Sequence, residues 1–268
     1  MEEVQAYYNE KARNYDASFD SLGFRLLDTI TWKHLEPYVP TSPDTFVLDA
    51  GGGTGRWATL LAKKGCHVVL IDASEEMLKV AAEKIRRKNL QQKITIEKGD
   101  ITRTGHIDKS FDMIFCEQTL FLFRQPDVLM KEMKRVLKDA GRLIVSAQNR
   151  YAQCLASLSK NPAAHDVDRI SKLLLRKEYG TMTKDGRIRI YTWTPDEFRG
   201  ILERNGFQIE KIIGKGTTIP LRIPKDVFMK KDYSEDLFQR ILEFELAVCE
   251  EQDALALAGH LQAIARKP

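Results

Sequence analysis

Residues 47–55 read Val47-Leu48-Asp49-Ala50-Gly51-Gly52-Gly53-Thr54-Gly55. A short apolar run ends at an acid, a glycine-rich turn follows, and Trp57, Leu60 and Leu61 then recur at helical spacing. Glycines stand where a backbone must bend sharply or lie close to a ligand. Strand, Gly-rich turn and helix N-terminus, in that order, make a nucleotide site in α/β proteins. A dinucleotide turn needs G-x-G-x-x-G. Counting from Gly51, the sixth position is Arg56; counting from Gly53, Trp57 and Ala58 follow. The third glycine, which lets a helix pack closely in a pyrophosphate-binding turn, is missing.

The flanking elements fit the same plan. His67-Val68-Val69-Leu70-Ile71-Asp72 is a second apolar run ending in an acid, and Asp72 lies 21 residues after Gly51. An acid at about that distance, at a strand's C-terminal end, accepts hydrogen bonds from ribose hydroxyls. Ser74 caps a helix with Glu75 and Glu76 in its first turn and Met77, Leu78, Ala81 and Ile85 at helical spacing. Ile94–Asp100 alternates apolar and polar, as a half-buried strand does. Phe111–Glu117 reads as a buried strand with a polar exit at Glu117 and Gln118. Pro126–Leu137 predicts an amphipathic helix with Val128, Leu129, Met133, Val136 and Leu137 buried, stopped by Asp139-Ala140-Gly141. Gly141–Ser146, Phe207–Ile213 and Gly259–Arg266 complete the set of strands, and Thr194-Pro195 opens another helix. Strands alternating with helices argue a parallel sheet covered on both faces.

The turn G-x-G-x-G, with an acid two residues before it, resembles motif I of class I S-adenosylmethionine (SAM)-dependent methyltransferases. Phe111-Asp112, with its exit at Glu117 and Gln118, looks like motif IV of that family. The resemblance covers residues 5–150 well and the tail only loosely. It implies an α/β, Rossmann-like doubly wound sheet of seven strands. That sheet is mostly parallel, with the last strand antiparallel beside the fifth, and helical inserts form a substrate cap. It implies a SAM pocket formed by Tyr15, Asp49, Gly51, Gly53, Asp72, Ala73, Met77, Asp100, Ile101, Glu117 and Gln118, with S-adenosylhomocysteine as product. In this family Asp100 meets the adenine amino group and Ile101 lies against the ring. Many relatives carry a His shortly after motif IV. Here Phe121-Leu122-Phe123 stands instead, which removes one possible base and makes the wall apolar.

Residues 1–268 are expected to form one methyltransferase domain. Within it, the aromatic segment 1–40 (Tyr7, Tyr8, Tyr15, Phe19, Phe24) reads either as a helical lid over SAM or as a helix packed on the domain. Residues 148–193 hold a helix signal (Val167 to Lys177) and a hairpin signal, Lys184-Asp185-Gly186. Residues 214–258 hold an amphipathic helix from Ser234 with Leu237, Ile241, Phe244 and Val248. Inserts on the ligand side of an α/β sheet are usual places for substrate walls, and equally for a dimer surface, so the chain is a monomer or homodimer.

No 18-residue apolar run exists, which argues against a membrane span. The four cysteines show no C-x-x-C spacing and the histidines are scattered, so neither a disulfide framework nor a metal site is legible. A cytoplasmic location is expected. Net charge is +4 and pI about 8.7, below the value above about 9 expected of a nucleic-acid-binding domain. Motif IV lacks the Asn/Asp-Pro-Pro-Tyr/Phe turn of adenine and glutamine methylation, and Cys116 follows Phe115, not the proline of cytosine methylation. A small-molecule acceptor is therefore favoured over nucleic acid.

The methyl group of SAM is already activated as a sulfonium, so in-line displacement needs chiefly positioning and exclusion of water. Only an alcohol or phenol acceptor needs a base. Glu117, His165 and Tyr191 are candidates, and none is singled out as catalytic. A tRNA or protein methyltransferase of the same fold and a non-catalytic SAM-binding module remain alternatives. The missing glycine argues against an NAD-dependent dehydrogenase.

Overall fold

β1 (Phe46–Ala50) is buried at four of its five residues, as only a central strand can be. The structure, a computed structural model, describes residues 2–158, 170–171, 173–175, 177–182, 187–217 and 225–268. β1 pairs in parallel with β2 (His67–Asp72) and with β4 (Phe111–Cys116). β3 (Ile94–Lys98) extends the sheet beyond β2, and β5 (Leu137–Gln148) beyond β4, both in parallel. β9 (His260–Arg266) then lies antiparallel between β5 and β8 (Gln208–Lys215). The order is β3-β2-β1-β4-β5-β9-β8, a seven-stranded mixed sheet with its antiparallel strand beside the fifth, as expected.

Helices cover both faces. On one side α3 (Arg56–Lys63) and α4 (Glu75–Arg87) bury Trp57, Leu61, Leu78, Ala81 and Ile85 against Val47, Val68 and Leu70. On the other, α5 (Pro126–Val136) and α7 (Pro195–Arg204) bury Leu129, Met133, Phe198 and Leu202 against Leu48, Ile114 and Leu143. Caps hold the helix starts where the sequence placed them. Ser74 Oγ accepts from Met77 N, and Thr194 makes a capping box with Glu197.

Two helix phases differ from the expectation. Val128 points outward, and the buried stripe of α5 runs through Leu129, Met130, Met133 and Val136. In α8 (Glu235–Val248) the inward residues are Phe238, Leu242 and Glu245, while Leu237 and Phe244 are exposed. The difference turns on Glu245, a polar side chain inside: its Oε2 accepts from Thr217 N at 2.8 Å. A polar residue in the inward stripe leaves the apolar pattern pointing to the wrong face. β5 also starts four residues earlier than expected, directly after α5, with Ala140 at φ +62° inside it.

In the segment after β5, α6 (Arg150–Leu158) begins at once, and β6 (Glu178–Met182) pairs antiparallel with β7 (Arg187–Tyr191). The turn Lys184-Asp185-Gly186, His165 and the start of the expected Val167–Lys177 helix lie outside the described residues. Asn149, fully buried, donates to the carbonyls of Leu255, Ala256 and Ala258, which pins the 252–257 turn to the end of β5. No described helix is long and apolar enough to cross a membrane.

Candidate functional site

The glycine turn is tight because its surroundings leave no alternative. Gly51 N donates to Ile71 O at 2.8 Å, which hangs the turn on β2. Gly51 has φ +74°, and a Cβ there would meet Thr119 Oγ1 at 2.6 Å. Gly53 has φ +53° and donates its N–H to Asp72 Oδ2 at 2.9 Å. Asp72 Oδ1 accepts from Ser74 N at 2.8 Å, so one carboxylate ties the turn to the start of α4. Arg56 occupies the position of the absent third glycine and opens α3. Its guanidinium lies 3.7 Å over the Phe19 ring and pairs with Asp28 of α2 (Leu22–Leu35).

A cavity of about 700 Å³ opens at the C-terminal ends of β1, β2, β3 and β4. Ten of the residues predicted for the site line it: Tyr15, Gly51, Gly53, Asp72, Ala73, Met77, Asp100, Ile101, Glu117 and Gln118. Asp49 lines an adjoining space of about 380 Å³ beneath the turn, shared with Tyr15, Gly51, Gly53, Glu117 and Gln118. The sequence reading missed Val4, Gln5 and Thr119 on the wall, and treated Tyr8 only as part of an aromatic pattern. Thr119 carries no motif signal. Tyr191 lines a neighbouring cleft, not this cavity.

α1 (Glu2–Tyr15) lies across the opening. Gln5 Nε2 donates to Ala73 O at 2.9 Å, and Asn9 Oδ1 accepts from Ser74 Oγ at 2.7 Å. Burial pushes the Tyr15 phenol up to about 12, so it stays neutral. At the back of the cavity Lys215 Nζ donates to Glu117 Oε1 at 2.5 Å and to Thr31 Oγ1 at 2.9 Å. Burial pulls the Lys215 ammonium downward, and Glu117 opposes the shift. Burial pushes the Asp49 carboxyl up to about 7, partly offset by a backbone bond from Ala58.

The donor set fits a cationic ligand. The larger cavity is lined by three carboxylates, Asp72, Asp100 and Glu117, and by no Lys or Arg. Asp49 Oδ2 and Glu117 Oε2 are buried without a hydrogen-bond partner among the described residues. Groups of that kind demand an occupant that can satisfy them. SAM, with its sulfonium and ammonium, fits; a pyrophosphate would meet like charge. Among the described residues no cluster of three or more His, Cys, Asp or Glu could hold a metal.

A methyltransferase-domain family model matches residues 41–206, well over half of the chain, so the chain belongs to that family. It is a class I SAM-dependent methyltransferase, with SAM as methyl donor. The tRNA 5-carboxymethoxyuridine methyltransferase of Escherichia coli (strain K12) is 26% identical over 252 residues, covering 91% of this chain and 89% of that protein. The demethylmenaquinone methyltransferase of Renibacterium salmoninarum is 33% identical over 54% of this chain and 58% of its own length. A SAM-dependent methyltransferase of Methanosarcina mazei shares the fold, with TM-score 0.60, 17% identity, and coverage of 87% of this chain and 96% of that one.

Proposed function

We propose that this enzyme methylates a carboxylate, and that the carboxylate is carried on a tRNA nucleoside. In this reading the eleven residues named above hold SAM, with Asp49, Asp72 and Glu117 facing its cationic and hydroxyl groups. α1 acts as a lid, and the inserts 148–193 and 214–258 form acceptor walls. Bound SAM supplies a methyl group already activated by its sulfonium. The observation that carries the choice of acceptor is the state of the candidate bases. Glu117 is locked to Lys215 in a buried pair, Tyr191 lines a separate cleft, and His165 lies outside the described residues. An acceptor with an ordinary carboxylate pKa is already ionised at neutral pH and needs no base. The relative that matches along about nine-tenths of both chains acts, by its name, on a tRNA nucleoside bearing a carboxymethoxy group, which supports the same class. A cytoplasmic location goes with this reading, and all four cysteines are free thiols.

A free metabolite acid is the second reading, the one the sequence favoured, and the modest net charge of +4 supports it. One experiment separates the two. The protein is incubated with methyl-labelled SAM and either unfractionated tRNA or an RNA-free metabolite extract, and products are identified by mass spectrometry. Label in a tRNA nucleoside, released by mild alkali as an ester should be, is the expected result. Alkali-stable label would sink the carboxylate, and label confined to the extract would sink tRNA. Asp72→Ala should lose SAM binding in calorimetry; undiminished binding would overturn the site assignment.

A further inference from the structure

β7 alternates, with Arg189 exposed between two buried isoleucines and Tyr191 half-buried at its end. Ile188 and Ile190 are buried in the core with Phe121 and Trp193. The intervening Arg189, and Tyr191 beyond, face a separate cleft lined also by Arg124, Lys177, Thr192 and Trp193. Leu122 and Phe123 line the SAM cavity and Arg124 lines this cleft, so the two are one residue apart along the chain. Lys177 is spent on Glu197, to which it donates at 2.6 Å. Arg124 and Arg189 are exposed, and neither enters an ion pair among the described residues.

Two uncommitted guanidinium groups beside aromatic rings form a surface that tracks an anionic backbone and offers a base a π-face. Resting on the reading that the acceptor is tRNA, we propose that the cleft lined by Arg124, Arg189, Tyr191 and Trp193 binds the ribose-phosphate strand next to the methylated nucleotide. The arginines contact phosphate, and Tyr191 stacks a neighbouring base. Affinity for the polymer thus comes from a cleft distinct from the SAM cavity, whose lining carries carboxylates. That separation reconciles RNA recognition with a low overall charge.

The test is binding of fluorescein-labelled unfractionated tRNA to the full chain, without SAM, over a series of KCl concentrations. The double variant Arg124→Gln/Arg189→Gln should bind about tenfold more weakly, with a log–log salt slope shallower by about 1.4–1.8, two phosphate contacts' worth. Arg124→Lys/Arg189→Lys should keep the wild-type slope, and SAM affinity by calorimetry should be unchanged in both. If the wild type methylates tRNA while the Gln variant binds it with unaltered affinity and slope, the cleft assignment alone fails. If the wild type neither binds nor methylates tRNA, the tRNA reading falls and the cleft with it. Salt-dependent retention on polyglutamate in place of tRNA would mark an acidic protein as the occupant and overturn the proposal.

Discussion

Lys215 and Glu117 meet with side chains only 1% and 3% exposed, so each is the other's main relief from burial. Removing one partner of such a pair leaves an uncompensated charge inside the protein. Lys215→Met should therefore destabilise by about 3–5 kcal/mol in urea unfolding. The double variant Glu117→Gln/Lys215→Met should regain most of that loss. A double variant whose loss equals the sum of the two single losses would show that the pair contributes no coupling. At this scale the sequence was legible where the chemistry is local. The glycine turn, Asp49 and Asp72 sit within one strand-turn-helix unit and its neighbour, and their types and spacing suffice. Lys215 was not legible. It lies 98 residues from Glu117 and belongs to no motif; only the sheet order brings the two together.

α1 presents a different balance. Ala12 is its one fully buried residue, while Val4 and Tyr7 pack half-buried against the core. Gln5 and Asn9 anchor it to the start of α4. The double variant Gln5→Ala/Asn9→Ala removes bonds worth about 0.5–1.5 kcal/mol each. If α1 is the lid proposed above, release of S-adenosylhomocysteine in stopped flow should quicken by about tenfold. Unchanged release would leave α1 as simple packing. Element identities were legible throughout the sheet, since their apolar runs are long and bounded by caps. Helix rotation was not legible wherever a polar residue faces inward. Glu245 in α8 answers the Thr217 N–H, and a pattern of apolar residues carries no sign of that bond.

Across the whole molecule, two buried groups set opposing pH responses. His260 is held neutral by burial, its pKa lowered to about 3. Between about pH 3 and 6.5 the unfolded chain binds a proton that the native one refuses, so this group's contribution rises with pH and is lost on acidification. Asp49, raised to about 7, keeps a proton that the unfolded chain releases near pH 4. Its contribution falls as pH rises through that window. Urea midpoints of the wild type should thus vary little between pH 5 and 7. His260→Gln should be more stable at pH 5 than at pH 7; a flat profile in that variant would refute the opposition. The sheet order adds a matter of timing. β9 is the last strand along the chain, yet it lies between β5 and β8. On the ribosome, β8 has no edge to join until residues 260–266 have emerged. Lys215 sits on β8, so its bond to Glu117 at the back of the cavity depends on β9 being in place between β5 and β8. The complete pocket therefore depends on a strand far from it along the chain, and a chain cut before residue 260 should lose the Lys215–Glu117 pair.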